Sequence, residues 1–339
     1  MMQPSDDTMT ATADSDMTAR RSAPKLLAGT MVSTDLDAAR AFYEGFLGLD
    51  CVRYAQDGLL VRDQVSKAEM EAGGEDFFAI DVRLVDVVEN PQHMLHHWGV
   101  DVVSAEEVDR IHALAKARKE ELGLKKLLPV SDVHGAHSFY FADRDMNWWE
   151  IEYRLDGLDN EAMIHGGDRF PQPAAAGSAV PARPAVPMVA DPRFATSAIV
   201  ANGHLTHGTC EQLHLEGSQR FLKEVLGLRC VRHLEPAQII AGAGQFGVFG
   251  IRLPRVAAQG PENRWVIAVT SGDEVEVVAD RARSEGDELG LLAVETGLKG
   301  RFGQSCLIQD ADGNWWEVVA MDPGYFQDRF ARGDVQVSA

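Results

Sequence analysis

A chain of 339 residues has room for two domains of ordinary size, about 150 residues each, and its 45% hydrophobic and 25% charged residues suit globular cores. Acidic residues outnumber basic ones by 52 to 32, a formal net charge of −20. That balance excludes the Lys/Arg-rich surface that neutralises nucleic-acid phosphates, and it disfavours docking on anionic membranes. No run approaches the ~20 consecutive apolar residues of a membrane span, Met1–Pro24 lacks the apolar segment of a secretory signal, and four cysteines make no disulfide framework. The expected setting is the cytoplasm and the expected partner a small molecule, with homo-oligomer formation left open.

Residues 1–24 have the composition of a disordered tail. Leu36, Ala39, Phe42 and Tyr43 fall at helical spacing and predict a helix over Asp35–Gly45, followed by Gly48. Trp98, Val100 and Val102 alternate with His97, Gly99 and Asp101, the pattern of a half-buried strand. Ser104–Glu121 reads as a second helix, with Ser104 as N-cap, Glu107 three residues on, and Val108, Ile111, Leu114 and Ala115 on one face. Trp149, Ile151 and Tyr153 alternate with Trp148, Glu150 and Glu152 in a later strand, so Glu150 and His97 point away from the helix-packed face. Gly166–Pro192 is rich in Ala, Gly and Pro and predicts a partly extended linker.

The chain is duplicated. Phe42–Arg53 (FYEGFLGLDCVR) returns as Phe221–Arg232 (FLKEVLGLRCVR), an offset of 179 residues (221 − 42), and Asp143–Glu150 (DRDMNWWE) returns as Asp310–Glu317 (DADGNWWE), an offset of 167 (317 − 150). The difference of 12 places a longer middle in the first copy. Two homologous domains follow, residues 25–155 and 195–322, joined by a linker at 156–194 and ending in a tail at 323–339.

Three stretches now carry a resemblance: Asp35-Leu36 through Phe42-Tyr43 to Leu47-Gly48-Leu49, then His97–Val102, then Phe139–Asp143 leading to Asn147-Trp148-Trp149-Glu150. The chain resembles the vicinal oxygen chelate superfamily of glyoxalases, bleomycin-resistance proteins and extradiol dioxygenases. The resemblance implies an α+β fold of two tandem domains, each a pair of βαβββ units forming an open cup-shaped sheet. It also implies a metal held by a residue on the first strand, one on the first strand of the second unit, and a Glu on the last strand. Those positions are Ala28, His97 and Glu150 in the first domain, and His207, Arg264 and Glu317 in the second. Neither domain holds a full set. Exchanging half-cups between domains, as some members do, unites His207, His97 and Glu150 in one cup and Ala28, Arg264 and Glu317 in the other. Two imidazoles and a carboxylate suit Fe(II), with Mn(II) or another divalent ion as the alternative.

His134, Phe139-Tyr140, Asp143 and Glu150 resemble the extradiol signature, which implies that Tyr140 contacts substrate and that His134 or His137 is the acid–base group. The function implied is a non-haem Fe(II) ring-cleaving dioxygenase acting on a catecholic or hydroquinone-like aromatic with dioxygen. Two alternatives stand beside it: a glyoxalase-type isomerase or lyase, which needs a fourth protein ligand that Phe246–Leu253 does not supply, and a metal-free binding protein. Plain structural roles are open to several of these residues. His96 competes with His97, His207 could be a plain polar residue of an edge strand, and the four tandem tryptophans suit packing.

Overall fold

Four times along the chain a strand and a helix are followed by further strands. The first unit is β1 (Lys25–Ser33), α1 (Leu36–Gly45), β2 (Asp50–Ala55), β3 (Gly58–Arg62) and β4 (Ala79–Leu84). The second is β5 (Trp98–Asp101), α2 (Ala105–Ala117), β6 (Lys126–Leu127), β7 (Ser131–Val133), β8 (Ala136–Ala142) and β9 (Trp148–Arg154), followed by a short helix α3 (Asn160–Gly166). The third is β10 (His204–Gln212), α4 (Leu215–Arg220, continued by a π-helical turn), β11 (Cys230–Leu234), β12 (Ala237–Ala241) and β13 (Gly247–Arg252). The fourth is β14 (Arg264–Val269), α5 (Gly272–Leu289), β15 (Ala293–Lys299), β16 (Gln304–Gln309) and β17 (Trp315–Ala320), with α6 (Tyr325–Arg332) after it. The computed structural model describes residues 23–65, 67, 77–157, 159–170, 196–322 and 324–336. The expected N-terminal tail and most of the Pro/Ala-rich linker lie outside these.

Local chemistry sets the helices. The Asp35 side chain accepts hydrogen bonds from the Asp37 and Ala38 amides at the start of α1, and Leu36, Ala39, Phe42 and Tyr43 are its buried face. Ser104 accepts from the Glu107 amide at the start of α2. That helix stops at Ala117, four residues before the expected Glu121, because Arg118–Glu121 offers only charged side chains and nothing to bury.

The units combine across the duplication. One sheet runs β15-β16-β17-β14-β1-β4-β3-β2 and the other β11-β12-β13-β10-β5-β9-β8-β6, with β7 beside β8. Each sheet therefore takes one unit from each copy, joined by the antiparallel pairs β1–β14 and β10–β5. Aromatic residues related by the repeat meet between the sheets: Phe78 stacks on Phe246 at 3.6 Å, and Trp98 lies edge-on to Trp265 at 5.2 Å. The backbone makes room for them at Gly29 and Gly208, where a Cβ would come 2.2 Å from Trp98 and 2.5 Å from Trp265. The extra residues of the first copy lie mainly between β3 and β4.

Two stretches expected to lack structure begin with helices. Within the linker, Asp159 caps α3, whose Met163 and Ile164 pack on Val231, Ile239 and Phe249 of the second sheet. Within the C-terminal tail, α6 buries Phe326 against Phe77 and Phe302, which lie just before β4 and β16 of the first sheet. In both cases the apolar side chains of the short helix cover the concave face of a cup. No helix among the described residues is long and apolar enough to cross a membrane.

Candidate metal centre

A single row of residues crosses the second sheet: Gly247, His207, Gly99, Glu150 and Tyr140, on β13, β10, β5, β9 and β8. Alternation along β9 puts Glu150 and Glu152 on the concave face, while Trp149 and Ile151 join the helix-packed core. His97 enters from the turn just before β5. Its backbone N–H donates to Thr209 Oγ1 at 3.1 Å, and its ring Nδ1 lies 2.8 Å from the Met94 carbonyl oxygen. A carbonyl only accepts, so Nδ1 carries the hydrogen and Nε2 keeps its lone pair, 3.0 Å from Glu150 Oε2. His207 Nε2 lies 3.5 Å from the same oxygen. The His207 ring sits directly over Gly99, where a Cβ would come within 1.9 Å of it.

These three side chains are nearly sealed from solvent, at 2% exposure for His97, 4% for His207 and 1% for Glu150. One donor atom from each lies within 4.8 Å of the others. His97 Nε2 and Glu150 Oε1 are buried without a hydrogen-bond partner, an arrangement that costs ~1–3 kcal/mol per group when nothing compensates it. Two lone-pair nitrogens and a carboxylate around one point, two of their atoms orphaned, fit a divalent cation.

The electrostatics follow from burial and neighbours. Burial works to raise the Glu150 carboxyl, but the imidazoles of His207 and His97, when they carry a second proton, outweigh it and hold the group well below the usual carboxylate range. Glu152 goes the other way: burial, then the neighbouring Asp101 and Glu150, push it well above. Burial lowers His134, against the pull of Glu150, and so favours its neutral form. Burial and the Glu150 charge raise the Tyr140 hydroxyl.

The acid–base candidates separate. His134 occupies a two-residue turn between β7 and β8, with φ of 40° followed by Gly135 at 85°. Its Nε2 shares a 2.9 Å hydrogen bond with the Tyr140 hydroxyl and lies 3.6 Å from Glu150 Oε1. Tyr140 also meets the His97 ring edge-on at 5.0 Å. His137 belongs elsewhere, bonded to Asp132 at 2.5 Å and to Asp109 of α2 at 3.1 Å. Its expected pairing with the site is thus corrected: residues three apart on a strand point to opposite faces, so His137 and Tyr140 cannot share the cup. Sequence reasoning also missed Thr206, Asp101 and Glu152, which surround the other edge of His207. The alternation that singled out Glu150 already puts Glu152 on its face.

The equivalent row of the first sheet is Ala79, Ala28, Val266, Glu317 and Leu307. Arg264 takes the place of His97 and donates from Nε to Glu317 Oε2 at 2.6 Å. With Ala28 opposite and a guanidinium on the carboxylate, this cup has no ligand set for a cation.

No family model and no curated protein matches the chain. Among solved structures it is similar to glyoxalase I from Zea mays, with a TM-score of 0.52 at 14% identity over 93% of this chain and 98% of that one. A single-site variant of the same enzyme gives 0.54 at 16% over 94% and 99%. A candidate dioxygenase from Bacillus subtilis subsp. subtilis str. 168 gives 0.52 at 14% over 90% and 88%. Identities this low speak for the fold, which these proteins share along nearly their whole length. The chain thus has the fold of glyoxalase I and of that candidate dioxygenase, with two cups on one chain.

Proposed function

We propose that the chain is a non-haem Fe(II) ring-cleaving dioxygenase of the extradiol type, with His97, His207 and Glu150 as its metal ligands and a catecholic or hydroquinone-like aromatic as substrate. The observation that carries this is the convergence of two imidazole nitrogens and one carboxylate oxygen, with the nearest further acid, Glu152, on the opposite, Nδ1 edge of His207. Strand β13 (Gly247–Arg252) has no acidic residue, and its Phe249 ring faces His207 at 5.6 Å. A glyoxalase-type reaction would draw its fourth ligand from that strand. Fe(II), or Mn(II) in its place, would supply open coordination positions for two vicinal substrate oxygens and dioxygen.

The remaining steps belong to the protein. His134, half-exposed at the turn and lowered from the ordinary histidine value by its partial burial, can take a proton from a substrate hydroxyl and return it to a departing oxygen. The Tyr140 hydroxyl, bonded to His134, can hold a substrate oxygen in line with that transfer. Buried walls around Glu150 limit water at the reacting atoms.

The test is oxygen consumption by Fe(II)-loaded protein with catechols, in wild type and three variants. His134→Ala should lose ~10²–10⁴-fold in rate, Tyr140→Phe less, since it deletes one hydrogen bond and keeps the ring, and His137→Ala should keep the wild-type rate. Turnover by His134→Ala at the wild-type rate, with metal bound, would remove His134 from the mechanism. Absence of ring cleavage from a range of catechols would sink the dioxygenase assignment.

A further inference from the structure

The imidazole of His207 has two edges, and the proposed ion occupies only one. We infer that Thr206, Asp101 and Glu152 form a polar clamp on the Nδ1 edge, setting the tautomer and ring orientation that aim Nε2 at the metal. This rests on the assignment of His207 as a ligand and adds positioning residues to it.

Three contacts define the clamp. Thr206 Oγ1 lies 3.2 Å from His207 Nδ1 and donates its own hydrogen to Asp101 Oδ1 at 2.6 Å. Having donated there, the hydroxyl is left to accept, so the hydrogen between it and His207 sits on Nδ1. Glu152 Oε1, on a side chain 2% exposed, lies 3.4 Å from the same nitrogen, and Asp101 Oδ1 lies 3.9 Å from it. Glu152 and Asp101 are register partners on β9 and β5. The β10–β5 register shifts between Leu205 and His207, as the β1–β14 register does between Leu26 and Ala28, so the bulge is common to both cups and only the side chains on it differ. Such a bulge lets the consecutive residues Thr206 and His207 both reach into the cup, where a regular strand would send them to opposite faces.

The second cup serves as an internal control. Shifted by the two repeat offsets, Thr206, Asp101 and Glu152 become Leu27, Ala268 and Val319, which pack together in an apolar cluster with Ala28. All three polar groups are absent where the histidine is absent. Two other polar positions of the cup survive in both copies, Glu150 as Glu317 and Thr209 as Thr30, while Tyr140 becomes Leu307, so polarity is lost in part and not throughout the cup. An imidazole that binds metal through Nε2 must keep its hydrogen on Nδ1. Acceptors fixed on that side both orient the ring and strengthen it as a donor, and their loss typically weakens metal binding ~10–100-fold.

The experiment uses the full chain with Co(II) as the only added ligand. Affinity comes from competition with a chelator, ligand geometry from the visible d–d spectrum, and folding from thermal unfolding of the metal-free protein. Glu152→Val, which copies the other cup, should weaken Co(II) ~10–100-fold and alter the d–d bands at unchanged one-ion stoichiometry. Glu152→Gln, which keeps an acceptor oxygen, should recover most of that loss. Should Glu152→Val fail to fold, Thr206→Val reads the same clamp through a nearly isosteric change and should also weaken binding. Wild-type Co(II) affinity and spectrum in Glu152→Val or Thr206→Val, with binding still abolished by His207→Ala, would overturn the clamp and leave the metal centre standing. Two ions per chain would make Asp101 and Glu152 ligands and overturn it as well. No binding by the wild type would fell the metal assignment itself.

Discussion

Gly99 and His207 face each other across the β10–β5 pair, and their sizes are complementary: the imidazole fills the space that a side chain at 99 would need. At the same place in the other cup Ala28 faces Val266, the small residue having changed strand. Gly99→Ala should therefore dislodge the His207 ring. We expect the bound metal, measured by elemental analysis, to fall to background while the far-ultraviolet circular dichroism stays that of the wild type. His137 carries a prediction about stability. Hydrogen bonds to Asp132, and with them Asp109, hold its pKa above the ordinary histidine value. A raised folded value means that the stabilisation is fully present below the ordinary pKa of ~6.5 and is lost as pH rises through the folded value. Urea unfolding of wild type and His137→Gln should thus differ most near pH 6, and the gap should close in mildly alkaline buffer.

Helix α3 shows how a short element escapes notice in a sequence. It spans seven residues, its two buried side chains Met163 and Ile164 are adjacent, and so short a helix cannot display a helical period. What holds it is the Asp159 cap, which accepts from the Ala162 amide at 2.5 Å, and the bonds from Asn160 Nδ2 to the Thr206 and Gln245 carbonyls at 2.7 and 3.2 Å. Asp159→Ala should cost ~0.5–2 kcal/mol in this helix. Amide exchange should rise across 160–166 with little change in the global melting temperature. Metal content should hold, because α3 contributes no ligand to the group of His97, Glu150 and His207.

At the scale of the whole molecule, two cups of one architecture differ in a few side chains. In the first, Arg264 and Glu317 neutralise each other in a site where Glu317 is 2% exposed. Removing one member of a buried pair that has no other partner costs ~3–5 kcal/mol. Arg83 Nη2 lies 3.9 Å from Glu317 Oε2 and remains as a second partner, so Arg264→Ala should lower stability by less than that in chemical denaturation. The combination of Ala28→His, Val266→Gly and Arg264→His restores the ligand and clearance pattern of the other cup. It should raise the Co(II) stoichiometry from one ion per chain to two, which equilibrium dialysis would read directly.

The duplication, the strand alternation around Glu150, the helix beginning at Asp35 and the cap at Ser104 were all legible in the sequence. Each depends on neighbours within a few residues or on comparing two copies of one solution. Which units share a sheet was decided by tertiary structure, since the β1–β14 and β10–β5 edges meet across more than 100 residues of chain and no local pattern encodes that choice. Tertiary structure also turned the His97 ring by means of the Met94 carbonyl, sent His137 to α2, and folded the start of the linker over a cup. The bulge at Thr206 belongs with these, because one residue out of register changes which side chains face the cup without changing their order in the chain.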